Sequence, residues 1–237
     1  MELHEIAVVA RIRSDFPTKF GVPRQSGLVP ELSARVVFEP EFRNPDALRG
    51  LEGFSHIWLL WQFSETARAD GAAGWSPTVR PPRLGGNVRV GVFATRSPFR
   101  PNPLGLSCVR LEAVERDREL GAVLRVSGAD LTDGTPIYDI KPYLPYADAY
   151  PDAKGGFAPA TAETVAVEFP PELLARVPEA QRAALTGVLA QDPRPRYQHD
   201  GGRVYGMAFG ALEVRFRVAD GVLTVTGVTP REGNGKP

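Results

Sequence analysis

The sequence contains a single cysteine, Cys108, among its 237 residues. One thiol cannot form an internal disulfide, and it cannot build a zinc site made of cysteines. The histidines His4, His56 and His199 stand far apart in no ligand-spaced pattern, so we expect no metal centre. The longest apolar run, 54-FSHIWLLWQF-63, is about half the roughly 20 residues that span a bilayer, so we expect no membrane span either.

Four sequence patterns are also missing, and each absence argues against a class of protein. The acidic N-terminal stretch MELHEIAVVARIRS lacks the basic region of a signal peptide, which predicts a cytoplasmic protein. No G-x-G-x-x-G follows a first strand and no phosphate-binding lysine loop is present, which argues against a doubly wound nucleotide fold. The G-x-S-x-G pattern of serine hydrolases is absent, and Ser55 and His56 lie within an apolar strand pattern, so we interpret them as a packed core pair. Cys108 also lies within a strand pattern, and we interpret it as a small core residue.

Charge is balanced overall but segregated along the chain. The 28 basic and 28 acidic residues cancel, yet six arginines and no acid lie between Arg80 and Arg110. Four aspartates and one lysine lie between Asp130 and Asp148. Guanidinium groups suit bidentate binding of carboxylate or phosphate. We therefore predict a positively charged binding surface beside an acidic site, rather than solvated loops without function.

The first 145 residues show short strand patterns separated by turns rich in glycine and proline. Asn44 before Pro45 predicts a short helix over 44–52. Alternating apolar residues, including Val88, Val90 and Val92, predict strands at 5–14, 35–40, 87–95, 107–116 and 121–129. Residues 54–63 are apolar on both faces and predict a central strand, and residues 137–144 are predicted to be extended. These elements predict a mainly β domain over residues 1–150, an antiparallel β-barrel or sandwich.

The pattern changes after residues 145–161, which we interpret as a linker. A strand, two helical segments and two or three strands follow, the last two joined at the tripeptide Ala219–Gly221. These elements predict a small α+β domain over residues 160–237.

Three loops at strand ends are stiffened by glycine and proline, which is how binding residues are commonly held. They span 22–28, 95–106 and 127–148. The last contains Asp139, Lys141 and Tyr143 in the pattern D-x-K-P-Y, where the aromatic ring could stack on a base while the acid orients an exocyclic N–H. The alternative is a strand end with a capped turn.

Long stretches of the chain resemble the TsaA-like (TrmO) family of tRNA (adenine-N6)-methyltransferases. The resemblance is carried by RPPRLGGNVRVGVFATRSPFRPNPLGLS and DLTDGTPIYDIKPYLPYAD, with KFGVPRQSGL, ALRGLEGFSHIWLL and LAQDPRPRY in support. It implies an S-adenosylmethionine-dependent enzyme on a small antiparallel β-barrel, not a Rossmann sheet. It also implies methylation of N6 of threonylcarbamoyladenosine at position 37, beside the anticodon, typically in threonine tRNA. Homodimers with the cofactor pocket near the subunit interface are expected.

The resemblance also implies a set of cofactor contacts. Ser26 stands where the family often has proline, so backbone contacts are expected there. The expected cofactor-binding residues are Ser26, Gly27, Leu28, Ser64, Glu65, Arg96, Leu106, Ser127, Gly128, Ala129 and Asp130.

The acylated N6 of threonylcarbamoyladenosine is a poor nucleophile until its proton leaves, so a general base would help. Asp130 and Asp139 are the candidates, with Tyr143 to stack on the base; the alternative is that both acids cap turns. RNA contacts are predicted at Arg80, Arg83, Arg100, Lys141 and Arg194. For Arg194, in the basic turn 191–197, the alternatives are closure over the partner subunit's pocket and a turn that only ends a helix. A cofactor-dependent RNA-binding module without turnover and a small-molecule methyltransferase remain alternative functions.

Overall fold

The structure of the chain is a computed structural model that describes residues 2, 4–63, 75–158, 164–195 and 200–231. Strands dominate these residues, and helices are few and short, as the sequence predicted for a mainly β protein. The helices are α1 (Pro145–Asp148), α2 (Pro171–Leu174) and α3 (Glu179–Ala190). The strands are β1 (Ala10–Arg13), β2 (Ser33–Phe38), β3 (His56–Gln62), β4 (Thr78–Val79), β5 (Val90–Gly91), β6 (Leu104–Asp117), β7 (Gly121–Ser127), β8 (Pro136–Pro142), β9 (Ala166–Glu168), β10 (Tyr205–Phe209), β11 (Leu212–Ala219) and β12 (Val222–Pro230).

Six antiparallel strands of the N-terminal half form a closed barrel in the order β1-β2-β7-β6-β3-β8, and the pairing of β8 with β1 closes it. Side chains alternate between the interior and the outer face, because successive residues of a strand point to opposite sides. In β3, Ile57, Leu59 and Trp61 are buried in the barrel core, while the residues between them are half-buried on the outer face. The strand is central as predicted, since it lies between β6 and β8, but only its inner face is fully buried.

Strand β6 is long, and its first residues extend past the end of β7. Gln62 at the end of β3 pairs with Leu104 at the start of β6, whereas Ser127 at the end of β7 pairs with Arg110. The chain that follows Ser127 therefore leaves the sheet beside the first half of β6. This end of the barrel receives the end of β3, the start of β6 and the turn after β7.

A second sheet, in the order β10-β11-β12-β9, forms the C-terminal half, with β9 parallel to β12. Its buried face and α3 enclose a core of Leu185, Leu189, Phe209 and neighbouring apolar residues. Residues from the loop between β1 and β2 share this core, and the ring of Phe16 meets that of Phe209 edge to face at a centroid distance of 5.6 Å. The second sheet therefore supports the loop that leads to β2.

Four local predictions differ from the structure. The strand predicted at 87–95 shrinks to β5, which pairs with β4, and Val88 is 52% exposed although it shares the alternating pattern with the buried Val92. The helix predicted at 44–52 is two 3-10 turns, and Asn44 caps the first as predicted, its side chain accepting from the N–H of Asp46 at 3.0 Å. Ser55 is exposed and hydrogen-bonds the half-buried His56, so these two residues are not a core pair. Cys108 is likewise only half-buried, on the outer face of β6.

Two features are absent from the part of the chain that the structure describes. It holds no helix that is both long and apolar enough to cross a membrane. It also holds no group of three or more His, Cys, Asp or Glu side chains that could bind a metal ion.

Candidate functional site

Two glycine turns meet at the open end of the barrel. One follows β7 at Gly128, and the other lies in the loop before β2 at Gly27. The N–H of Gly27 donates to the carbonyl of Gly128 at 2.8 Å, and the N–H of Gly128 donates to the carbonyl of Leu32 at 2.8 Å. Both glycines have positive φ, 79° and 74°, which glycine adopts without the steric cost of a Cβ. The structure thus brings together two segments that the sequence predicted to bind the cofactor.

Asp130 is the acid of this cluster. Its Oδ1 accepts a hydrogen bond of 2.6 Å from the hydroxyl of Ser107 on β6. Burial raises the pKa of the Asp130 carboxyl above its ordinary value, and the hydrogen bond from Ser107, the charge of Arg96 and a backbone contact with Ser26 oppose that rise. Asp130 therefore connects β6, the turn after β7 and the turn before β2.

Trp61 holds the hydroxyl of Ser107 from the other side. Its Nε1 donates to Ser107 Oγ at 2.9 Å, and both side chains are buried in the barrel interior. A Cβ placed on Gly105 would lie 2.3 Å from the indole of Trp61, so this position has room only for glycine. The sequence analysis missed Trp61 and Ser107. Their alternating positions in β3 and β6 were the available signal, but only the register brings them to Asp130.

Arg96 ties the arginine- and proline-rich loop to the turn before β2. Its guanidinium donates to the side-chain carbonyl of Gln25, one residue before Ser26. Arg96 is exposed, and its positive charge acts on Asp130. A cation and an acid are thus presented at the same end of the barrel.

The remaining predicted cofactor residues have different surroundings. Leu28 is half-buried and Ala129 is buried in the barrel core, while the hydroxyl of Ser127 donates to Glu112 at 2.7 Å. The side chain of Leu106 is 52% exposed and lies on the outer face of the barrel, opposite to its neighbour Ser107. Ser64 and Glu65 lie outside the described residues.

Asp139 lies on the outer face of the same barrel. It pairs with Leu60 of β3, whose side chain points away from the interior, and its carboxylate forms an ion pair of 2.9 Å with Lys141. The ring of Tyr143 packs near Trp58 at a centroid distance of 5.9 Å, on the same face. Asp130, in contrast, hydrogen-bonds Ser107, whose side chain faces the barrel interior. Within a single chain, the two candidate bases Asp130 and Asp139 are therefore not brought together.

The predicted RNA-binding arginines divide into exposed and internally bonded side chains. Arg80 is exposed. Arg100 donates from Nη2 to the carbonyls of Val92 and Thr95, at 3.1 and 2.7 Å, and so braces its own loop. Arg194 donates through Nε and Nη2 to the two carboxylate oxygens of Asp192, both at 2.8 Å. These contacts favour a helix-ending turn at Arg194 over an RNA contact. The side chain of Arg83 lies outside the described residues.

Exposed aromatic rings accompany the arginines. Trp75 and Phe93 are 40% and 76% exposed, with centroids 6.2 Å apart, and Phe99 is 52% exposed. Rings of this kind can stack on unpaired bases beside guanidinium groups that meet phosphates.

Family models match both halves of the chain. The model of the tRNA-methyltransferase O N-terminal domain matches residues 11–149, and that of the TrmO C-terminal domain matches residues 162–231. This chain belongs to the tRNA-methyltransferase O family. The resemblance drawn from the sequence is confirmed.

Relatives in the tRNA-methyltransferase O family match nearly the whole chain. The tRNA (adenine(37)-N6)-methyltransferase of Escherichia coli K12 is 42% identical over 98% of this chain and all of its own length. A Pseudomonas aeruginosa protein named as a putative S-adenosylmethionine-dependent methyltransferase is 43% identical over 90% of this chain and 92% of its own length. The crystal structure of TrmO from P. aeruginosa superposes with a TM-score of 0.77 at 36% identity, covering 97% of this chain and 98% of that one.

Proposed function

We propose that this chain transfers a methyl group from S-adenosylmethionine to N6 of the adenosine at position 37 of tRNA. The substrate we infer is threonylcarbamoyladenosine in threonine tRNA, and the product is its N6-methyl derivative. The observation that carries the proposal is the meeting of the turns at Gly27 and Gly128 around Asp130, with Arg96 beside them. Relatives named as tRNA (adenine(37)-N6)-methyltransferases support the reaction type. We place this reaction in the cytoplasm.

The charges at this end of the barrel suit the cofactor. S-adenosylmethionine carries an ammonium, a carboxylate and a sulfonium, and when bound it supplies an electrophilic methyl group. Asp130 offers an acceptor for a cationic group, and Arg96 offers a guanidinium for a carboxylate. The turns at Ser26, Gly27 and Gly128 offer main-chain groups, which agrees with backbone contacts at Ser26. Asp130 and Arg96 could thus hold opposite charges of the same ligand.

Asp130 is the base that we favour. Methylation replaces the proton on N6 of the substrate, so that proton must pass to an acceptor near the reacting nitrogen. Because burial raises the pKa of Asp130, its carboxylate is a stronger base than a solvated one. Asp139 is paired with Lys141 on the outer face, so we assign that pair, with Tyr143, to contacts with the substrate nucleoside or its threonyl carboxylate.

The anticodon stem-loop would approach from the arginine-rich side of the barrel. Arg80 is free to meet backbone phosphates, and Phe93 and Phe99 expose rings on which loop bases could stack. We expect Arg83 to act with Arg80. Exchanging both for glutamate should weaken tRNA binding and reduce its salt dependence, and an unchanged affinity would refute this assignment.

We further infer a homodimer. Leu104 and Leu106 expose apolar side chains on the outer face of β6, close to the predicted cofactor residues in sequence. Covering these leucines with a second copy would place the predicted contact at Leu106 at a subunit interface. Sedimentation of the wild type and of Leu106→Glu would test this, since a dimer that uses this face should dissociate in the variant.

Methyl transfer to defined tRNAs tests the function directly. The purified chain is incubated with labelled S-adenosylmethionine and with threonine tRNA that either carries or lacks threonylcarbamoyl at adenosine 37, and the nucleosides are then separated. Label in N6-methyl-threonylcarbamoyladenosine supports the proposal. Binding of both ligands without transfer would indicate an RNA-binding module, and transfer to free nucleosides alone would indicate a small-molecule methyltransferase.

The assignment of the base is tested in the same assay. Asp130→Asn keeps the size of the side chain but removes its basicity, so we expect turnover at saturating S-adenosylmethionine, where weaker cofactor binding no longer limits the rate, to fall at least a hundredfold. Asp139→Asn is the matched variant on the outer face. Full turnover in Asp130→Asn would exclude this acid as the base.

A further inference from the structure

Trp61, Ser107 and Asp130 form a chain of hydrogen bonds whose direction is fixed at one end. An indole N–H can only donate, so Ser107 Oγ must accept from Trp61. The hydroxyl proton of Ser107 is then directed at Asp130 Oδ1, 2.6 Å away. Trp61 and Ser107 are 7% and 1% exposed, so water has little access to either group.

The reverse hydrogen bond, donated by a protonated Asp130 to Ser107, is unfavourable as long as the indole of Trp61 is in place. If Asp130 were protonated on Oδ1 and donated to Ser107, the hydroxyl would have to accept two hydrogen bonds. Its own proton would then be left inside the barrel, where a polar group without a partner is costly. The arrangement therefore makes Oδ1 of Asp130 an acceptor, and a carboxylate accepts a stronger hydrogen bond there than the carbonyl oxygen of a carboxyl protonated at Oδ2.

We propose that Trp61 and Ser107 are positioning residues that hold the Asp130 carboxylate in its ionised, proton-accepting form at the mouth of the barrel. This inference deepens the proposed function, on which it rests, by assigning the groups that prepare the base. Neither residue touches the substrate in this account. Both act through Asp130.

Other groups around Asp130 act on its charge from separate elements. Among the described residues, Arg96 supplies the charge that acts on it, from the loop before β6, and Ser26 approaches through its backbone from the loop before β2. Neither depends on the hydroxyl of Ser107. Removing that hydroxyl should thus leave Arg96 and Ser26 in place and expose the effect of Ser107 alone.

We expect variants of Ser107 and Trp61 to shift the pH dependence of kcat. A hydrogen bond to a charged group favours the ionised form by an amount equivalent to about one to two pH units. In Ser107→Ala the acidic limb of the kcat profile should therefore move to higher pH by about one unit. Trp61→Phe keeps an aromatic ring and frees Ser107 to accept, so it should move the limb in the same direction by less. Ser107→Thr keeps the hydroxyl and should restore the wild-type limb.

Thr135→Val is the matched control for the loss of a buried hydroxyl. Thr135 is 2% exposed and its hydroxyl donates to the carbonyl of Thr132, within the turn before β8. This variant should lower stability without moving the acidic limb. An equal displacement in Thr135→Val would overturn the proposal, because it would show that any lost buried hydroxyl has this effect.

A second readout does not require activity. The titration of the Asp130 carboxyl can be followed by carbon NMR, with its resonance assigned from its loss in Asp130→Asn. A midpoint about one unit higher in Ser107→Ala supports the proposal, and an unchanged midpoint overturns it. If the wild type failed to methylate tRNA while this displacement was present, the proposed function would fail and the role of Ser107 would stand.

Discussion

Replacing Gly128 by alanine is the sharpest perturbation of the candidate cofactor site. Gly128 has a φ of 74°, and a Cβ at this position would lie 3.3 Å from both the Cα and the N of Gly27. These are backbone atoms of the facing turn, which cannot rotate away as a side chain could. The turn at Gly27 would have to move, together with its hydrogen bond to the Gly128 carbonyl.

The cost has two parts. A non-glycine residue in the left-handed region costs about 1–2 kcal/mol. Weakening the 2.8 Å hydrogen bond between the two turns adds about 1 kcal/mol. We therefore expect the free energy of unfolding of Gly128→Ala to fall by about 2–3 kcal/mol. Because the turn at Gly27 shifts, affinity for S-adenosylhomocysteine should fall at least tenfold, equivalent to about 1.4 kcal/mol.

Gly134 provides the matched control. Its φ is 76°, yet a Cβ there would meet no atom within 4 Å. Gly134→Ala should therefore lose about 1–2 kcal/mol of stability from the backbone strain alone and keep its affinity. Urea unfolding and calorimetry with S-adenosylhomocysteine measure both quantities. Equal affinities in the two variants would refute the idea that contact between the turns shapes the site.

Three further predictions concern other parts of the molecule. Arg100→Ala should lower the free energy of unfolding by about 2 kcal/mol, because two hydrogen bonds to carbonyl groups are lost. The salt dependence of tRNA binding, measured by filter binding, should stay unchanged. A shallower salt dependence would instead indicate that Arg100 contacts a phosphate. The pKa of Asp117 is lowered to about 2, mainly by the hydrogen bond from the backbone N–H of Leu120. The ionised carboxylate therefore stabilises the fold above about pH 4, and this stabilisation is lost as the pH falls towards 2. Asp117→Asn should flatten the loss of stability in acid unfolding curves, and a loss identical to that of the wild type would contradict this prediction. Gly21→Ala places a Cβ 2.2 Å from the sulfur of Met207 and should lower Tm by several degrees in calorimetry, whereas an unchanged Tm would show that the two halves pack loosely here.

The strand predicted at 87–95 shows that alternation of apolar residues does not by itself establish a strand. Val88, Val90 and Val92 have the period of a half-buried strand, but β5 finds a partner only in the two-residue β4. Without a longer partner, the chain turns at Val92, and Val88 stays exposed. Alternation predicts a surface with two faces, and only strand pairing decides whether it becomes part of a sheet. The six barrel strands have longer partners, and their ends lie within about three residues of the predicted ones except at the start of β1, which begins at Ala10 instead of residue 5.

The site was predictable where chemistry is local and unpredictable where it depends on register. The loops 22–28 and 127–148 were predicted to bind a ligand because glycine and proline stiffen them at strand ends, whereas Gly27, Gly128 and Asp130 were expected individually only from the resemblance to the family. Ser107 lay hidden in a strand pattern, since its contact with Asp130 arises only because β7 ends opposite Arg110.

Other residues illustrate the same limit. Asp139 seemed equivalent to Asp130 in the sequence, but the pairing of β8 with β3 places it on the outer face. Arg100 and Arg194 were predicted to contact RNA, and the sequence pattern did not indicate their hydrogen bonds to backbone carbonyl groups and to Asp192.

Hydrogen exchange with and without S-adenosylhomocysteine tests the central claim most directly. If the turns at residues 26–28 and 127–130 grip the cofactor, slowed exchange should concentrate in those segments and in the loop that carries Arg96. Gly134 and its neighbours, which belong to a separate turn, should be unaffected. Protection that is absent from both turns, under conditions where calorimetry shows binding, would place the cofactor elsewhere and contradict the account.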